Sequence, residues 1–85
     1  HVAVVGGQRN EKIQISLRAS RDFYKETGIH LGRDIANPLG EYLKGMGGGQ
    51  SLSAGVNGMG DLEASLKRCA RLLKECLRKK EKGSG

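Results

Sequence analysis

Gly45-Met46-Gly47-Gly48-Gly49-Gln50, continued by Ser51-Leu52-Ser53-Ala54-Gly55-Val56, is the stretch on which the fold turns. Four of the first six residues are glycine, and they stand between a helix-like segment and a strand-like one. Glycine loses more backbone freedom on ordering than any other residue, so three in a row inside a fold need a physical reason. Positive φ angles, close approach of the backbone to another group, or amides aimed at one anion would each supply it. A flexible linker would not need one. The run is short and leads straight into an apolar–polar alternation, so it reads as a shaped loop.

Downstream, residues 51–56 read as a strand, with Leu52, Ala54 and Val56 on one face and Ser51, Ser53 and Gly55 on the other. Asn57-Gly58 marks a turn, and Asp61 is placed to cap a final helix running to about residue 80. Leu62, Leu66, Cys69, Leu73 and Cys76 recur at helical spacing, with Ala70 and Leu77 widening the stripe. Glu63 with Lys67 and Glu75 with Lys79 add i,i+4 support. The heptads are too few for a free coiled coil, so this helix packs on a sheet.

Upstream, Leu31, Ile35, Leu39, Tyr42 or Leu43, and Met46 also recur at helical spacing, interrupted by Pro38. A short turn over 31–36 and a helix over 38–45 follow, with Asn37 as cap. Residues 20–28 form one helical turn closed by Gly28. In residues 13–19, Ile13, Ile15, Leu17 and Ala19 alternate with Gln14, Ser16 and Arg18, the pattern of a half-buried strand. Val2-Ala3-Val4-Val5 reads as a shorter strand ended by a Gly6-Gly7 turn, and 8–12 as a polar connection. The order is β-β-α-β-α: an α/β or α+β domain whose small mixed sheet is covered by helices. Bare strand edges point to a piece of something larger.

Eighty-five residues make one domain, which buries about 60% of its extended-chain surface. Residues 1–82 are taken as a single accessory domain and 83–85 as a flexible tail. A start at His1-Val2, without Met, reads as a tag remnant or a cut fragment. The hydrophobic content of 36%, with no Trp and one Phe, predicts marginal stability or a missing partner. Nothing approaches a membrane span. Cys69 and Cys76 lie two turns apart on one helix, about 10.5 Å between Cα atoms and beyond disulfide reach. They read as core thiols of a cytoplasmic, reducing compartment.

The net charge of +6 is uneven. Seven basic and seven acidic residues cancel over 1–66, while residues 67–82 hold eight basic and two acidic ones. A basic helix face including Lys67, Arg71, Lys74 and Arg78 attracts nucleic acid or simply faces water. Catalytic groups do not assemble: no triad, no metal-ligand spacing, no paired carboxylates, and a solitary His30. The glycines lack the Lys-Ser/Thr of a P-loop. What remains is a phosphate- or nucleic-acid-binding surface made of Arg18, the amides of Gly47, Gly48 and Gly49, Gln50 and Ser53. An arginine on a rigid strand suits a phosphate; it is equally an ordinary solvent-facing residue.

Ser16-Leu17-Arg18-Ala19-Ser20, the segment from Gly47 to Val56 and the amphipathic terminal helix resemble the C-terminal DHH-associated domain of the DHH/RecJ phosphoesterases. The resemblance spans residues 12–80 and is nearest to the archaeal RecJ-like proteins. Gln50 stands where that family has histidine, and Ser53-Ala54-Gly55 matches its Ala-Ala-Gly. The resemblance implies a substrate-binding accessory domain of a hydrolase or exonuclease, contacting single-stranded DNA or RNA or a small nucleotide through Arg18 and the glycine amides. It also implies an N-terminal DHH domain as partner, and manganese or magnesium in that domain with no cofactor in this chain. Alanyl-tRNA synthetases also end in a domain of this type. Two other classes stay open: an interaction module docking a replication, repair or translation partner through its last helix, and a stand-alone nucleic-acid-binding protein.

Overall fold

The computed structural model describes residues 2–84, with side chains as far as Lys79. His1, where the cut start was read, and Gly85, the last residue of the predicted tail, lie outside the described residues. Strands β1 (Val2–Arg9), β2 (Lys12–Ala19), β3 (Met46–Gly49) and β4 (Ser53–Met59) form one sheet in the order β1-β2-β4-β3. Every pairing is antiparallel. Helices α1 (Arg21–Thr27), α2 (Asn37–Tyr42) and α3 (Leu62–Ser84) complete it, with a π-helical segment, Leu31–Ala36, leading into α2. The class is α+β, as expected, but the sheet has four strands and is not mixed.

The additional strand is the glycine run itself. Met46–Gly49 pairs with β4, Gly47 opposite Val56 and Gly48 opposite Gly55. A Cβ on Gly47 would overlap the Ala36 carbonyl oxygen, and one on Gly32 would overlap the Gly49 carbonyl. Glycine is required because the π-helical segment lies directly on the strand backbone. Close packing by other residues corrects two expected turns. Gly6 lies inside β1, where a Cβ would come 2.8 Å from Leu62 Cδ1. Gly58 lies inside β4, under Leu43. The real turns fall at Asn10, with φ 58°, and at Gly60, with φ 135°. The fourth strand starts at Ser53 because Gln50 N–H closes the hairpin on Ser53 O at 2.7 Å.

The core lies on one face of the sheet. Ile13, Ile15, Leu17 and Val56 bury their side chains against Leu31, Ile35, Leu39 and Leu43. The predicted helical stripe therefore holds, with Leu43 rather than Tyr42 as its inward residue. Met46 leaves it, standing on β3 at 80% exposure. Pro38 does not break the chain in two. It sits at the π–α junction, where the wider turn tolerates a residue without an N–H. Ser20 caps α1 through Phe23 N–H, Gly28 ends it at φ 69°, and Asp61 caps α3 through Ala64 N–H at 2.9 Å. Gln8 ties β1 to α3 by accepting from Leu62 N–H and donating to Gly60 O.

Candidate functional site

Because all helices pack on one side, the other face of the sheet is open. Register builds it in rows. Ala3, Arg18 and Ser53 form one row; Val5, Ser16, Gly55 and Gly48 form the next. Gly7, Gln14, Asn57 and Met46 follow, then Arg9, Lys12 and Met59. Arg9, Lys12 and Arg18 thus project from a face whose strand residues include no carboxylate. None of the three has an ion-pair partner among the described residues. The row from Ser16 to Gly48 is nearly without side chains, so a ligand can approach the sheet backbone there.

The residues singled out from sequence divide. Arg18 and Ser53 are directly paired, Gln50 follows across the hairpin, and Gly48 lies one row along on the same face. No atom lies within 4 Å of where a Gly48 Cβ would sit. Gly47 faces the helical layer and serves its packing, while Gly49 takes φ 141° at the hairpin, where a Cβ would run into Ser53 and Ala54 of β4. The hairpin turn also presents carbonyls to the π-helical segment: Ser51 O accepts from Leu31 N–H at 3.2 Å and Gln50 O from Gly32 N–H at 3.1 Å.

Lys67, Arg71, Lys74 and Arg78 are exposed along α3. Two are already matched on the helix, Lys67 with Glu63 at 3.9 Å and Arg71 with Glu75 at 3.6 Å. Glu75 thus pairs with Arg71, not with Lys79 as the spacing predicts. Arg68 is not part of a solvent field: its guanidinium stacks 4.7 Å from the Tyr42 ring centroid and joins α3 to α2.

His30 and Asp34 serve the fold. His30 accepts from Arg33 N–H at 2.9 Å through Nδ1, while Asp34 accepts from His30 N–H at 2.8 Å. This reciprocal cap accounts for the solitary histidine. Burial pushes the Asp34 carboxyl up, but hydrogen bonds from Arg33 and His30 N–H, with the Arg33 charge, outweigh it and hold the group below its ordinary range. Burial raises both thiols, Cys69 and Cys76, above theirs. Among the described residues no group of three His, Cys, Asp or Glu could hold a metal ion, and no helix is long and apolar enough to cross a membrane. Sequence reasoning missed Arg9 and Lys12, because residues 8–12 read as a connection. The alternation of Ile13 with Lys12 and Gln14 was the available signal.

A four-stranded antiparallel sheet with one helical layer and one bare, cationic face defines a two-layer α+β domain. Solved structures similar to it include the C-Ala domain of alanyl-tRNA synthetase from Aquifex aeolicus, with a TM-score of 0.65 and 23% identity. The match covers 89% of this chain and 64% of that one, so the chain spans just under two thirds of that domain's length. At this identity the likeness shows a shared fold. No protein-family model matches the sequence, and no curated protein does. The resemblance to the DHH-associated domain of RecJ-type phosphoesterases is corrected on this finding. With it go the hydrolase and exonuclease expectations, the DHH partner domain and its manganese.

Proposed function

We propose that the chain is a nucleic-acid-binding accessory domain, with RNA as its ligand, and that residues 1–82 act as one unit of a larger protein. The observation that carries this is the open sheet face, where Arg18 stands opposite Ser53 with no carboxylate to neutralise it. Phosphate contacts by unpaired cations release counterions and give salt-dependent affinity. The fold shared with a domain of an enzyme that acts on tRNA favours RNA over DNA. The α3 face is second choice, since Lys67 and Arg71 have acidic partners one turn away. The test is a salt titration of binding to single-stranded RNA, single-stranded DNA and tRNA, followed by fluorescence anisotropy. Affinity for RNA that falls with salt supports the proposal; no binding at low salt removes it.

One observation favours a second role for α3. Its 23 residues span about 34 Å, and Leu77 in its outer half is 38% exposed. Docking of a protein partner on that half would leave the sheet face free for RNA.

A further inference from the structure

The end of the open face away from Arg18 carries features that phosphate binding does not need. Register sets Gln14, Asn57 and Met46 side by side across β2, β4 and β3, with Lys12 opposite Met59 in the next row. With Lys44 they line a hollow of about 700 Å³, within the span of about 300–1,000 Å³ usual for small-molecule sites. Its floor extends flat onto β1, because Gly7 continues the Gln14 row and no atom lies within 4 Å of a Cβ built there.

Two large apolar side chains stand in water here, Met46 at 80% and Met59 at 54% exposure. Methionine is flexible and polarizable, and it adapts to a flat ring at little cost. Beside them the Gln14 and Asn57 amides each offer a donor and an acceptor, and neither side chain has a hydrogen-bond partner among the described residues. Amide side chains match the paired donors and acceptors on a base edge. Lys12 and Lys44 likewise have no carboxylate partner among the described residues. A free phosphate would satisfy the lysines but leave the amides and the methionine surface unused.

We infer that this hollow takes one unpaired nucleotide of an RNA strand. The base lies against Met46 and Met59, its edge meets the Gln14 and Asn57 amides, and Lys12 and Lys44 meet the flanking phosphates. This rests on the nucleic-acid reading above and adds base discrimination to it.

The test follows backbone amide signals while the chain is titrated with each of the four nucleoside 5′-monophosphates, and measures single-stranded RNA binding in parallel. Signals of Gln14, Asn57 and Met59 should move, and one base should be preferred. Replacing Gln14→Ala and Asn57→Ala together should weaken the preferred nucleotide about tenfold. Both side chains are exposed, so the unfolding midpoint should hold; Met46→Ala is a second variant that removes no core atom. RNA binding without movement at these amides overturns the subsite and leaves the wider proposal standing. Nucleotide binding without RNA binding overturns both, because the hollow would then take a free nucleotide and not part of a strand. If neither binds, both fall.

Discussion

Arg18 of β2 stands directly opposite Ser53 of β4 on the face of the sheet that no helix covers. The guanidinium is carried by a strand whose other face is locked into the core by Ile15 and Leu17, both 0% exposed. The strand fixes where the side chain starts, and the planar fork of a guanidinium loses less freedom per hydrogen bond to a phosphate than an ammonium does. Arg18→Ala should therefore weaken RNA binding by about tenfold or more, a charge-assisted contact being worth about 1.5–3 kcal/mol. It should also lower the salt slope on a single strand by about 0.7. Folding stability, read by urea unfolding, should change by less than about 0.5 kcal/mol. An equal loss in both measurements would make Arg18 a structural residue.

The glycine run should respond to substitution with a period of two. Gly47→Ala drives a methyl into the Ala36 carbonyl, which belongs to the helix backbone and cannot move aside. A loss of about 3 kcal/mol is expected, enough to unfold much of a small domain. Gly48→Ala meets open space on the other face and should cost less than about 0.5 kcal/mol. Thermal unfolding of the two variants checks this; similar midpoints would mean that β3 is a loop after all.

Arg68 joins α3 to α2 by stacking on Tyr42. Its Nε is buried with no hydrogen-bond partner among the described residues, so the ring face is the compensation for its desolvation. Tyr42→Leu should destabilise the chain by about 0.5–2 kcal/mol. Arg68→Met, which keeps the aliphatic packing without the charge, should lose less than Tyr42→Leu. The reverse order in urea unfolding would show that the contact is not the source of stability.

Asp34 links the fold to pH. Its folded carboxyl titrates below the unfolded value, so the stability it contributes is fully present above the ordinary carboxylate range and is lost as pH falls through the folded value. Unfolding measured from neutral pH to below about pH 4 should show the wild type losing stability in acid. Asp34→Asn should be less stable at neutral pH and flatter through that window. Parallel curves would assign the acid sensitivity to another carboxylate.

Much of the frame was legible because local chemistry set it. The Ile13–Leu17 alternation, the Asp61 cap, Gly28 and the buried stripe from Leu31 to Leu43 all follow from neighbours in sequence. The rest depends on contacts remote in sequence. Gly6, Gly47 and Gly58 are small because a helix or Leu43 lies over them, yet in sequence they look like turn residues. A strand made of glycine carries no alternation to detect, so β3 passed as a loop. The pairing of Arg18 with Ser53 was within reach of strand faces; the row of Gln14, Asn57 and Met46 was not, since each was placed in a different element.

The most direct measurement is the footprint of a short single-stranded RNA on the backbone amide signals of the chain. If the open sheet face is the interface, the largest perturbations fall on Ser16, Arg18, Ser53 and Gly55, while Lys67, Arg71, Lys74 and Arg78 on α3 move little. Perturbations confined to those four α3 residues, with the sheet signals unmoved, would contradict it.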